Sequence, residues 1–198
     1  MTVTTRLNGV LHILASVPGS DGTPIDSTTK RVNKPYVDIR TRRILLLRAC
    51  TSDDSRVRWR IAATSGAVVS SRPHTTHILS LRVQAASLDT TITEPLAFFR
   101  LRNVLKLPAG TDVMLTVTTE RNDDVVVLHH ALRRFRLHNN GDNTYTGVWG
   151  SRVFERGLRH FGVNALSNGT LFDDALPYDS QSWILPFAIA PDTLPEML

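Results

Sequence analysis

His138-Asn139-Asn140-Gly141-Asp142-Asn143-Thr144-Tyr145-Thr146-Gly147-Val148-Trp149 sets a hairpin turn directly before a strand of period two. Asn140-Gly141 predicts a tight type I′ turn, because glycine has no Cβ to clash at positive φ and asparagine tolerates that region better than most residues. Beyond the turn, Tyr145 and Gly147 fall on one face and Thr144, Thr146 and Val148 on the other, the alternation of a half-buried strand. Working outward, further strands are expected at about 98–107, 112–119, 125–130, 134–138, 157–166 and 182–189, punctuated by Pro108-Ala109-Gly110, Glu120-Arg121-Asn122-Asp123 and Ser167-Asn168-Gly169. Leu128 to Leu137 also fits a short helix, but Phe135 and Leu137 alternate with Arg134, Arg136 and His138, so strand is favoured.

Seven short strands at regular intervals with turn signals between them predict an all-β chain, an immunoglobulin-like antiparallel β-sandwich over residues 91–198. Residues 1–90 read as a second β-rich segment, either another small sandwich or an extension of the same one. In it a strand runs over Leu7–Val17 and residues 18–34 form a polar connection. Tyr36, Asp38 and Arg40 alternate with Val37 and Ile39, and Ile44–Leu47 is continuous enough for a deep core position. Arg56, Arg58 and Arg60 share one face of a strand with Val57, Trp59 and Ile61 turned inward; Ser65-Gly66 predicts a hairpin turn, and Gln84 to Pro95 a polar boundary.

The run Asn139-Asn140-Gly141-Asp142-Asn143-Thr144-Tyr145-Thr146, followed by Gly157–Ala165, resembles the repeats of filamins and bacterial surface proteins over about Leu107 to Ile189. Asn143 stands where that pattern has its second glycine, and Val153–Arg156 is more charged than usual for it. The resemblance implies a structural or interaction module without catalytic residues, in an extracellular or cell-envelope setting. The single cysteine, Cys50, reads as a buried small hydrophobe and leaves the compartment open.

The chain has 198 residues and a formal charge of +5, from 23 basic against 18 acidic side chains. Lysine occurs only at Lys30, Lys34 and Lys106, so the excess is arginine, whose planar fork suits phosphate and carboxylate. No run nears the roughly 20 apolar residues of a membrane-spanning helix, and Leu7–Val17, interrupted by His12, lacks the form of a signal peptide.

Catalytic and cofactor motifs are missing. There is no Gly-x-Ser-x-Gly elbow and no phosphate loop, so neither an enzyme nor a cofactor is expected, and a small-molecule substrate is not favoured. His129 and His130, adjacent on a strand, point to opposite faces, and His74 and His77 have no third ligand at suitable spacing, so no metal is assigned. Asp123, Asp124, Asp142, Asp173, Asp174 and Asp179 are explained by turn chemistry before calcium. Asn168-Gly169-Thr170 forms a glycosylation sequon of meaning only in a eukaryotic secretory setting.

The arginine stripes remain: Arg40, Arg42 and Arg43; Arg56, Arg58 and Arg60; Arg134 and Arg136. On neighbouring strands they would form a face for an anionic polymer; alone they are a solvated sheet face. Three functions follow. The first is a non-catalytic interaction module with a protein partner, self-assembly or an anionic partner. The second is an all-β coat or assembly protein that packages nucleic acid. The third is a carbohydrate-binding module using Tyr36, Trp149, Tyr178 and Trp183.

Overall fold

A computed structural model describes residues 1–16, 29–49, 58–100, 104–130, 133–151 and 158–190. The strands are β1 (Thr2–Ser16), β2 (Thr29–Ala49), β3 (Arg58–Ser71), β4 (Ile78–Ala85), β5 (Leu88–Ile92), β6 (Phe98–Arg100), β7 (Leu105–Pro108), β8 (Asp112–Thr119), β9 (Val125–His130), β10 (Arg133–Arg136), β11 (His138–Asn139), β12 (Thr144–Gly150), β13 (Leu158–Leu166) and β14 (Ser180–Ala190). One short helix, α1 (Asn168–Phe172), stands before β14, where sequence predicts only a turn; the Ser167 side chain caps it by accepting from Thr170 N. The chain is all-β, as expected, and no described helix is long and apolar enough to cross a membrane.

The larger sheet runs β1-β2-β3-β14-β13-β9-β10, with β6 beside β3 and β7 parallel to β14; the smaller runs β11-β12-β8-β4-β5. β3 pairs with β14 and β4 with β8, so chain on both sides of residue 90 builds both sheets. Alternation explains why these residues form strands. Val113, Leu115 and Val117 of β8 and Leu81 and Val83 of β4 face inward from the small sheet, meeting Val126, Leu128, Phe161, Val163, Trp183, Leu185 and Phe187 of the large one in a single core. At its centre Trp149 lies 5.2 Å from both His130 and Phe161, ring centre to ring centre. Two antiparallel sheets around one core are compatible with a β-sandwich.

Several sequence expectations need correction. Ser65-Gly66 is not a hairpin turn, since β3 runs straight through it. A Cβ on Gly66 would sit 2.7 Å from the carbonyl oxygens of Ile184 and Pro95, so this glycine serves close packing. The Asn140-Gly141 hairpin forms but is wider than a two-residue turn: Asn140 N donates to Thr144 O at 3.0 Å, and the positive φ values fall at Gly141 (84°) and Asn143 (66°). Asp142 Oδ1 accepts from Thr144 N at 3.1 Å, an Asx turn that favours the longer loop. Trp59 and Ile61 do not point inward either; they are 63% and 55% exposed, and the run Ile44–Leu47 is not deep in the core, since Leu45 and Leu47 are 42% and 56% exposed. Cys50 lies outside the described residues.

The crossing from β3 to β4 is pinned by Asp179, whose carboxylate accepts from the N–H and hydroxyl groups of both Thr75 and Thr76 at 2.5 to 3.4 Å. Burial alone would raise its pKa, but these donors outweigh burial and hold it below the usual carboxylate range. Asp124 is the opposite case. It is 3% exposed, and neither carboxylate oxygen has a hydrogen-bond partner. The nearby Thr119 hydroxyl gives its proton to the Arg121 carbonyl at 2.6 Å. Burial pushes Asp124 up to about 6, with Thr119 and the Arg121 guanidinium opposing.

These two carboxylates predict opposite pH responses. The Asp179 contribution is present above its unfolded pKa near 4 and is lost as pH falls below that value, so Asp179→Ala should cost about 2–4 kcal/mol in urea unfolding at pH 7 and less near pH 3. The Asp124 penalty is present at pH 7 and relieved as pH falls through about 6. Asp124→Asn should therefore be more stable than the parent at pH 7, on the order of 1–3 kcal/mol, with the difference shrinking by pH 5; a constant difference would remove Asp124 as the cause.

Candidate anion-binding face

In β2 the residues Lys34, Tyr36, Asp38, Arg40 and Arg42 point to one side, the face of the large sheet turned away from the core. One end of that face is covered. The Lys34 ammonium donates to the carbonyl oxygens of Gly169, Asp173 and Leu176, which uses all three of its protons, and Tyr36 packs 5.1 Å from Tyr178. Beyond Asp38 the cover ends, and the next two positions on this side are arginines.

Register then carries the face across six strands. One row pairs Arg42 (β2), Ala67 (β3), Ile184 (β14), Gly162 (β13), His129 (β9) and Arg134 (β10) in succession. The adjacent row on the same side pairs Arg40, Val69, Ser182, Asn164, Val127 and Arg136. Each row therefore begins and ends in arginine with small or uncharged residues between. Five inter-strand steps separate the ends, roughly 24 Å at about 4.8 Å per step. On the reverse of the sheet the intervening row reads Val68, Trp183, Val163 and Leu128, which face the core.

Because its middle residues are small, the face is hollow there. A groove of about 360 Å³ is lined by Val69, His129, His160, Gly162, Asn164, Ser182 and Ile184, with the Phe161 and Val163 backbone. Arg42 Nη2 donates to His160 Nε2 at 3.0 Å, which fixes an uncharged His160 with its proton on Nδ1 and holds the guanidinium at the groove rim. Burial lowers the His160 pKa, and Arg42 and Arg40 lower it further; burial and then Arg134 do the same to His129. Arg42 is itself lowered by burial and by Arg40. Arg40, Arg134 and Arg136 make no hydrogen bond or ion pair among the described residues, where Arg82–Asp89 and Arg121–Asp123 do. Asp38, on the same side of β2, is buried, and the two rows themselves hold no carboxylate; positive charge gathered in this way favours an incoming anion.

Of the arginines singled out from sequence, the structure brings Arg40, Arg42, Arg134 and Arg136 onto one face. Arg43 sits at a register shift, with its N–H donating to Ser65 Oγ at 2.8 Å and its guanidinium turned to Leu96 O. Arg60 lies on a separate two-stranded ribbon. Arg56 and the Arg58 side chain lie outside the described residues. Sequence reasoning missed His160, Gly162, Asn164 and Ser182; the signal was the polar and small phase of β13, opposite Phe161, Val163 and Ala165. His74 and His77 meet edge to face at 4.4 Å, and no group of three metal-ligating side chains occurs among the described residues. The rings named for a sugar platform are otherwise engaged: Trp149, Trp183 and Tyr178 are buried, and Tyr36 lies against Gly9 and Tyr178.

Searches of protein-family models, curated proteins and solved structures return no match to this chain.

Since both groove histidines are held uncharged near neutrality, charge appears on them only as pH falls below the usual histidine value near 6.5. Binding of a polyanion, read by fluorescence anisotropy, should tighten several-fold between pH 7.5 and 5.5. A His129→Gln, His160→Gln double variant should lose that response, and an unchanged response would place its origin elsewhere.

Proposed function

We propose that this chain is a non-catalytic interaction module, an immunoglobulin-like β-sandwich that engages an anionic partner across the outer face of its large sheet. The observation that carries this reading is the pair of register rows with arginine at both ends and no carboxylate between them. The sandwich part is supported by the two antiparallel sheets with a shared core and by the turn at Asn143, which takes a positive φ at the position where the repeats the sequence resembles have their second glycine. Retention on a heparin column at low salt is expected. Arg134→Gln with Arg136→Gln, at exposed positions without partners among the described residues, should elute at clearly lower salt without loss of thermal stability; passage of the parent protein through the column unretained would overturn the reading.

A second reading, assembly from copies of the chain, is favoured by a different feature. Past Ala63, β2 and β3 continue as a two-stranded ribbon with no third strand among the described residues. Each side exposes apolar side chains, Trp59 and Ile61 (63% and 55% exposed) beside Arg48 on one and Leu45 and Leu47 (42% and 56%) beside Arg60 on the other. Such ribbons are marginal alone, and exposed apolar surface of this kind marks an interface. The occupant proposed is the same ribbon of a second copy, because it offers the same exposed apolar side chains, Trp59 and Ile61 or Leu45 and Leu47, to cover those of the first. Light scattering on a sizing column should show oligomers for the parent and monomers for Trp59→Ser with Ile61→Ser; a monomeric parent would dismiss assembly.

A further inference from the structure

The two arginine ends and the hollow between them have different chemistry, and the difference identifies the anion. A partner carrying only charge, such as an acidic peptide, has no use for an uncharged centre on this face. The groove offers an apolar floor in Ile184 and Val69, hydroxyl and amide groups in Ser182 and Asn164, and uncharged imidazoles at His129 and His160. Asn164 Oδ1 is shielded from solvent and receives no hydrogen bond from the described residues. At about 360 Å³ the groove is at the small end of ligand pockets, the scale of one planar heterocycle with its sugar. A duplex keeps its bases stacked inside and presents nothing to fill such a hollow, whereas an unpaired strand can turn a base into it.

We propose, on the basis of the anion-binding reading above, that the partner is single-stranded nucleic acid lying across the strands of the large sheet. Its phosphates meet Arg40 and Arg42 at one end and Arg134 and Arg136 at the other, and one base enters the central groove. The imidazoles of His129 and His160 flank that base, and Ser182 and Asn164 meet its polar edge. A width of roughly 24 Å accommodates on the order of four nucleotides, the low end of the site sizes of single-strand binders. Four phosphate contacts predict a fall of log affinity with log salt of slope about −3.

Gly162 provides the means to test the groove apart from the charge. A Cβ there meets Trp183 O at 3.4 Å and the Ile184 side chain at 3.5 Å, ordinary contacts, so Gly162→Val fits the strand and fills the hollow while every arginine stays in place. Anisotropy with a fluorescent ten-nucleotide single strand, a ten-base-pair duplex, heparin and polyglutamate is measured for the parent, for Gly162→Val and for Arg134→Gln with Arg136→Gln. The proposal expects the single strand to bind at least tenfold tighter than the duplex, Gly162→Val to lose about tenfold for the single strand alone, and the arginine variant to weaken all polyanions. Equal affinity for strand, duplex and heparin with no effect of Gly162→Val overturns the base-in-groove inference and leaves an unspecific anion face. Tighter binding of polyglutamate than of the single strand overturns it in favour of an acidic protein. No binding of any polyanion overturns both readings, and thermal melting of Gly162→Val close to the parent value separates loss of the groove from loss of the fold.

Discussion

The start of β14 is the constraint on which the rest of this molecule depends. Three consecutive residues fix it: Asp179 gathers Thr75 and Thr76, Ser180 N donates to Ser71 Oγ at 2.9 Å, and Gln181 Oε1 accepts from Ile78 N at 2.7 Å. The end of β3 and the beginning of β4 are thereby tied to one point of the strand that lies at the middle of the large sheet. In a strand a slip of one residue exchanges the two faces. Here it would bring Ser182 and Ile184 into the core and send Trp183, Leu185 and Phe187 to the surface. The polar network therefore sets which side chains are buried and, by the same register, which ones line the outer groove. Core and candidate site are two sides of a single alignment.

That alignment also explains the electrostatics. The backbones of β2 and β10, each carrying two arginines, stand roughly 24 Å apart at the two ends of the rows, the Arg42 guanidinium reaches in from its end to His160, and the residues between are small enough to leave a hollow. The like charges that do sit close together, Arg40 and Arg42 beside His160, are accommodated by keeping the imidazole uncharged. Lysine would serve poorly at this rim. Its flexible stem and strongly hydrated ammonium cannot hold the planar contact that Arg42 makes to His160 while leaving further donors for a phosphate. Lys34, on this side of β2, is instead buried against three carbonyl oxygens, where a compact point charge with three protons fits.

Most of the fold was legible, because period two is a local signal. The alternation of Tyr36, Asp38 and Arg40 and of His77 to Val83 each announced a strand that is present, and that of Arg134 to His138 announced strand that the structure divides between Arg133–Arg136 in the large sheet and His138–Asn139 in the small one. What was not legible is set by distance. Gly66 reads locally as a turn, and only the approach of Ile184 O and Pro95 O, contributed by distant segments, shows why a side chain is excluded there. Trp59 reads locally as core, and only the lack of a third described strand beside that part of β3 leaves it outside. The arginine stripes were visible one by one, but their joining on one face depends on the order β2-β3-β14-β13-β9-β10, which no single stretch encodes. His160 and Gly162 acquire meaning only through the same order.

The size of the face has a consequence for any partner that is a polymer. Four arginines and one groove per chain limit a single encounter to a few phosphates, and such contacts weaken steeply with salt. Tight binding at physiological ionic strength then needs several faces acting on one strand, since linked sites gain from effective concentration without any new contact. The apolar ribbon of β2 and β3 departs from the same sheet, formed by the far part of the two strands that carry Arg40, Arg42 and Ala67. Copies joined through that ribbon would hold their arginine faces in fixed relation. A polyanion bridging two faces would in turn favour the joined state by mass action. Assembly and anion binding, argued above from separate features, are thus expected to be linked equilibria, each strengthened by the other to the same degree.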